Sequence, residues 1–253
     1  MSLQSNDNYS TFVMVNPTIC VDICLCVDCS GSMMQMFKET VKGVRGFIKE
    51  QQDTAKETEI DTYLTIKTFA DDANVIPGFD NENIKNVDSF ESKYLNPCGG
   101  TRLIDTAVEA LLEQNRRYDL WSSKECNKNF KMNRIFAILT DGHDNNSRLY
   151  NPSDMNHYIN KFRNSGVTCI FLGANQDAIE QGNNYGFNRG HSMTYSQTNK
   201  CAENTFRCLS ECVSSTCKGE INTEFNELQR STSCNIRFNE KTKIDYGESL
   251  RRC

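Results

Sequence analysis

Residues 134–140 (RIFAILT) constrain the fold of this 253-residue chain more than any other segment. After its first residue the run is almost wholly apolar, and it stops at Asp141-Gly142. A half-solvated strand would place a polar residue at every second position. A strand without that alternation needs cover on both faces, which a parallel sheet flanked by helices provides. Residues 18–28 (TICVDICLCVD) form a second β-rich run that leads directly into Cys29-Ser30-Gly31-Ser32. From Met33 the apolar spacing turns helical, with Phe37, Val41, Val44 and Ile48 recurring every three or four residues.

The alternation continues along the chain. Strands are predicted over 59–70 and 74–77, the latter ended by Pro77-Gly78. Gly99-Gly100-Thr101 introduces a helix with Ile104, Ala107, Val108 and Leu111 on one face. Helices near 155–162, from Asp177 and over 199–215 then alternate with strands at 167–173 and 191–195. Strands separated by helices imply an α/β fold with a parallel sheet covered on both sides. Beyond about Lys218 the chain is polar and loses its periodicity. This divides it into an N-terminal arm (1–18), a main domain (19–218) and a short C-terminal cysteine-containing extension (219–253).

Composition excludes several classes. With 28 basic and 33 acidic residues the net charge is −5, which argues against a general nucleic-acid binder. No stretch approaches the ~20 apolar residues of a membrane span, so membrane insertion is not expected. Residues 1–10 are polar and lack the pattern of a signal peptide, so a cytoplasmic or intracellular protein is expected.

In an open α/β sheet, ligands gather at the carboxyl ends of the strands, where the strand order switches. Two strands here end in aspartate at that edge, Asp28 and Asp141. Asp28 opens a D-x-S-x-S run whose alternate residues can aim one carboxylate and the hydroxyls of Ser30 and Ser32 at a common point. Thr101, after its Gly-Gly turn, can add a third hydroxyl. Two carboxylates and three hydroxyls make an oxygen-only shell suited to Mg²⁺, with Mn²⁺ or Ca²⁺ as alternatives. The plainer reading is that Asp28, Ser30 and Ser32 cap the following helix, and that Thr101 caps its own. His143, two residues past Asp141, is either an extra ligand or base, or an ordinary loop residue.

In these three segments the chain resembles a von Willebrand factor A-type (vWA) domain with a complete metal-ion-dependent adhesion site. The positions that match are Asp28, Ser30, Ser32, Thr101 and Asp141, flanked by Gly99-Gly100-Thr101-Arg102-Leu103 and Leu139-Thr140-Asp141-Gly142. The resemblance spans roughly residues 19–218. Phe171-Leu-Gly-Ala-Asn175 and Thr194-Tyr195-Ser196 look closer to intracellular microbial or viral members. It implies a doubly wound, mainly parallel six-stranded sheet with helices on both faces. It also implies a metal ion, most simply Mg²⁺, whose open position is filled by an acidic side chain of another protein.

Rival sites lack their motifs. There is no G-x-x-x-x-G-K-[ST], no G-x-G-x-x-G after the first strand, and no G-x-S-x-G. An aspartyl phosphatase would want a carboxylate where Ser30 stands. With three histidines and no convincing general base, an enzyme is not expected, although a bound ion could activate water.

Thirteen cysteines are many for a chain without a secretory signal. Cys24 and Cys26 share one face of the first strand and read as core residues. Cys201, Cys208 and Cys212 fall on one helical face, and Cys217, Cys234 and Cys253 follow. These six can be disulfide-bonded, free thiols or metal ligands, and the disulfide reading would tie the extension to the domain. The function expected is a metal-dependent protein-binding module, serving as scaffold or structural component of a larger assembly. A large DNA virus particle is one setting that the cysteine- and asparagine-rich composition suits. The alternatives are an adaptor for an AAA+ ATPase and, third, a metal-assisted hydrolase.

Overall fold

Strand β1 (Thr18–Asp28) lies inside a seven-stranded sheet and is paired along its length on both sides. The computed structural model describes residues 18–174, 177–220 and 223–234. The expected N-terminal arm (save Thr18), Asn175 and Cys253 therefore lie outside the described residues. The remaining strands are β2 (Asp61–Phe69), β3 (Ala73–Val75), β4 (Glu82–Asn83), β5 (Phe130–Thr140), β6 (Val167–Ala174) and β7 (Ser192–Tyr195). Their order is β3-β2-β1-β5-β6-β7, with β4 also on β2. β3 and β4 run antiparallel to β2, and every other pairing is parallel. The sheet thus has one strand more than expected, the two-residue β4, too short to leave a periodicity.

The helices are α1 (Phe37–Thr58), α2 (Leu103–Ser122), α3 (Pro152–Asn164), α4 (Ala178–Asn184), α5 (Asn199–Cys217) and α6 (Glu227–Ser233). Period-two alternation along β1 sorts the core into two layers. Val21, Ile23, Leu25 and Val27 face α1 and α5, where they meet Val44, Phe47, Leu209 and Val213. Cys24 and Cys26 face the other way, into a layer with Ile104, Val108 and Leu111 of α2 and Met155, Ile159 and Phe162 of α3. Both cysteines are core residues, as the strand pattern indicates.

α1 and α5 approach closely because Gly43 has no side chain. A Cβ there would stand 1.9 Å from the Phe206 ring. The described part of the C-terminal extension, residues 223–234, is more structured than its composition suggests. α6 packs against α5 and β7, with Ser196 N–H donating to Ser233 C=O at 3.0 Å and Arg230 donating to the carbonyls of Arg189, Gly190 and Ser192.

Two expectations are corrected. No disulfide bond joins two of the described cysteines, so the disulfide reading fails among the described residues. Cys201, Cys208, Cys212 and Cys217 line the buried face of a single helix. Residues seven apart on a helix are about 10 Å apart, beyond the reach of an S–S bond. Burial instead keeps three of them protonated, lifting the Cys208 thiol to about 11 and those of Cys212 and Cys217 to about 12. The expectation of a metal-binding cluster is corrected as well. Among the described residues no three His, Cys, Asp or Glu side chains are placed to hold a metal ion. The physical reason is that the oxygen constellation carries only two carboxylates, and the thiols face the core.

Candidate functional site

The register between β1 and β5 builds the site. Val27 pairs with Leu139, which sets Asp28 beside Thr140 and brings Asp141 to the same edge. Asp28 is buried. Its Oδ1 accepts the Ser30 N–H at 2.7 Å, and its Oδ2 accepts the Thr140 hydroxyl at 2.5 Å. Ser30 is buried and Ser32 exposed, with 3.1 Å between their hydroxyl oxygens. The Ser32 hydroxyl then donates to Asp141 Oδ1 at 2.7 Å. A continuous chain of polar contacts therefore links Asp28, Ser30, Ser32 and Asp141 across two strands.

Helix capping does not account for these residues. Ser30 is N-cap to the 3₁₀ turn Gly31–Met36, yet its side chain caps nothing, and the N-cap position of α1 is Met36. Nor does Thr101 cap α2, whose N-cap position is Arg102. Thr101 is instead clamped by its backbone. Its N–H donates to Asn145 Oδ1 at 2.7 Å, and its carbonyl accepts the N–H groups of Asn145 and Asn146. The preceding turn is fixed by Asp71, whose Oδ1 accepts the Gly100 N–H at 2.7 Å. Gly99 has φ +68°, and a Cβ on it would stand 2.1 Å from Asp71 Oδ2, so both backbone and space demand glycine.

Gly142 leaves the floor of the site open. A Cβ there would stand 3.5 Å from Thr101 Oγ1 and 4.0 Å from Ser32 Oγ. All five residues singled out in the sequence thus meet at one edge. Thr140, Asn145 and Asp71 were not singled out. Thr140 immediately precedes Asp141 and was visible as a buried hydroxyl next to a candidate ligand; Asn145 and Asp71 gave no local signal.

Electrostatically the site lacks positive charge. Burial pushes the Asp28 carboxyl up to about 6, against the hydrogen bonds from Ser30 and Thr140, and the Asp141 charge adds to the rise. Burial also raises Asp141, opposed by the bond from Ser32. Neither carboxylate forms an ion pair among the described residues. The buried Tyr195 hydroxyl is raised well above its ordinary value, first by burial and then by the charges of Asp141 and Asp28. Two close carboxylates, three hydroxyls and no cationic side chain fit a hard divalent ion as the missing charge. The donor set is also incomplete, because such an ion takes about six oxygens.

The model of the von Willebrand factor type A domain matches residues 22–205. No curated protein matches the chain. Among solved structures, proximal thread matrix protein 1 from the mussel byssus, with a zinc-occupied MIDAS motif, is similar at 18% identity and a TM-score of 0.52. That match covers 80% of this chain and 47% of the mussel protein. The pilus adhesin SpaC of Lactobacillus rhamnosus GG aligns at 13% identity and TM-score 0.54, over 80% of this chain and 30% of the adhesin. The vWF domain of the type V pili tip protein Mfa5 from Porphyromonas gingivalis aligns at 11% identity and TM-score 0.51. It is covered over 99% of its length, and this chain over 83%. The chain spans about half the length of the mussel protein it matches.

Proposed function

The chain belongs to the von Willebrand factor type A domain family, and we propose that it is a non-catalytic, cation-dependent protein-binding module. Asp28, Ser30, Ser32, Thr101 and Asp141 would hold a divalent cation, Mg²⁺ by the hardness of the oxygen donors. An acidic side chain of a partner protein would complete the shell. The observation that carries this reading is the convergence of two unpaired carboxylates and the hydroxyls of Ser30 and Ser32 at one strand edge.

The ion would supply the positive charge that Asp28 and Asp141 lack and would attract a further anionic ligand. Because the chain offers only two carboxylates, affinity for the ion alone should be modest and should rise with the partner's carboxylate in place. Asp28 is held by Ser30 and Thr140, and Thr101 by Asn145, so the donors are arranged before any ligand arrives. Among the described residues no histidine or lysine contacts the Ser30 or Ser32 hydroxyl, and the carboxylate that accepts the Ser32 hydroxyl, Asp141, is itself assigned to the ion, which favours binding over hydrolysis.

We read the module as a scaffold or structural component of a larger assembly, in keeping with relatives named a thread matrix protein, a pilus adhesin and a pilus tip protein. A virus particle is one such assembly. No helix among the described residues is long and apolar enough to cross a membrane. The test compares partner capture by the wild type, by Asp141→Ala, and by the wild type in EDTA. Capture should be lost in the latter two; capture that survives both overturns the proposal.

A further inference from the structure

We propose that His143 is a second recognition group of this site, donating a hydrogen bond from Nε2 to the partner carboxylate. The inference rests on the cation-dependent reading above and deepens it by naming how the partner's acidic group is told from other oxygen ligands. His143 follows Gly142, the residue that lies against the Thr101 and Ser32 hydroxyls, and it is exposed on the rim of the site.

Its ring is not loose. Nδ1 stands 2.9 Å from Gln181 Nε2, and Gln181 is a buried residue of α4. The first turn of α4 is in turn tied to β7, where Ala178 N–H donates to Thr194 Oγ1 at 3.0 Å. The same amide lies 3.4 Å from the Tyr185 hydroxyl. The imidazole is therefore anchored through Nδ1 from the protein side, which leaves Nε2 on the opposite side of the ring. With Nδ1 engaged by Gln181, Nε2 is the ring nitrogen left to hydrogen-bond outward, and the Nε2–H tautomer is the one that serves as donor there.

A carboxylate that gives one oxygen to a cation keeps a second oxygen that accepts hydrogen bonds. The nearest groups serve it poorly. Asp28 and Asp141 cannot donate when ionised, and the Ser32 hydroxyl is already spent on Asp141. An Nε2–H on the rim fills this need. It also discriminates, since a carboxamide would bring an NH₂ donor against the Nε2–H donor and lose the contact.

The probes are acetate and acetamide, titrated into the full chain in Mg²⁺ and followed by backbone and imidazole ¹⁵N shifts. His143 should show the Nε2–H tautomer, and acetate should bind more tightly than acetamide. His143→Ala should weaken acetate about tenfold or more while leaving acetamide and the Mg²⁺ affinity nearly unchanged, the loss expected for one charge-assisted hydrogen bond. His143→Gln, which keeps a donor, should recover part of the loss. Gln181→Met, which frees the ring without touching the site, should weaken acetate in the same sense. Unchanged acetate affinity in His143→Ala, or an unprotonated Nε2, overturns the inference and leaves the cation-dependent reading standing. A parallel fall in Mg²⁺ affinity also overturns it, making His143 a ligand of the ion. Absence of any Mg²⁺-dependent acetate binding in the wild type removes both.

Discussion

The Thr140 hydroxyl donates to Asp28 Oδ2 at 2.5 Å and fastens the ends of two adjacent parallel strands, β1 and β5, at the point where the site begins. Thr140→Val keeps the shape and removes the donor. Asp28 is then left with a buried, unsatisfied carboxylate oxygen, which costs about 1–3 kcal/mol. Urea unfolding in EDTA should show that loss, and Thr140→Ser should restore most of it.

The raised Asp28 carboxyl has a defined sign. Its folded pKa, about 6, exceeds the ordinary value of 3.8. The stability it contributes is fully present below the unfolded pKa and is lost as the pH rises from about 4 through about 6. The upward shift corresponds to about 3 kcal/mol at full burial, as an order of magnitude. In EDTA, unfolding midpoints should fall across this window, and Asp28→Asn should reduce the slope and stabilise the protein above pH 6, leaving the part due to Asp22, which burial also raises to about 6. With excess Mg²⁺ the order should reverse, because only the wild type gains from the ion. A flat wild-type profile in EDTA would show that Asp28 is not held up by burial.

Two glycines of α1 give opposite expectations. Gly43→Ala meets the Phe206 ring, and the overpacking of about 1–3 kcal/mol outweighs the better helix propensity of alanine. Gly46→Ala has nothing within 4 Å of its Cβ and should stabilise by up to about 1 kcal/mol. Thermal melts of the two variants should move in opposite directions.

Asp105, fully buried in the first turn of α2, holds the loop after β5. Its two oxygens accept the N–H groups of Arg148, Leu149 and Tyr150 at 2.9–3.1 Å, and Arg102 Nε lies 3.2 Å away. Asp105→Ala should cost about 3 kcal/mol by leaving three amides without their acceptor, while Arg102 keeps its two-point pair with Glu109. Hydrogen exchange at 148–150 should accelerate more than exchange in β6.

Thiol accessibility separates the cysteines. Cys98 and Cys126 are exposed, whereas Cys201, Cys208, Cys212 and Cys217 are buried. Alkylation of the native protein, read by peptide mass, should label the first pair well before the second group. Early labelling of Cys212 would contradict the packing of α5.

Much of this architecture was legible because its signals are local. The β1 boundaries follow from one uninterrupted β-rich run, and β5 from its lack of polar alternation. Yet β5 begins at Phe130, earlier than its apolar part, because Phe130, Lys131 and their neighbours pair with the start of β1 while staying exposed. α6 escaped notice because it is seven residues of mainly polar sequence, positioned by Arg230 and Ser233 rather than by an apolar stripe. The five site residues could be picked out because each stands beside a strand end or glycine turn. Of the supports, Thr140 stands beside Asp141, whereas Asn145 and Asp71 could not be picked out, since they act on partners 44 and 29 residues away. The cysteine spacing on α5 correctly reported one helical face.

The pairing of Val27 with Leu139 also has a consequence for how the protein is made. Asp28 is synthesised long before Asp141, and neither strand edge resembles a binding site alone. A chain still emerging from the ribosome, or one truncated before β5, holds four of the five donors but lacks Asp141 and the strand that positions it, and should recruit no partner. Competence for assembly therefore arises together with closure of the longest-range contact in the central sheet, a slow kind of step in folding. A partner that reads this edge tests whether the whole domain has folded, and incomplete chains are left out of whatever it builds.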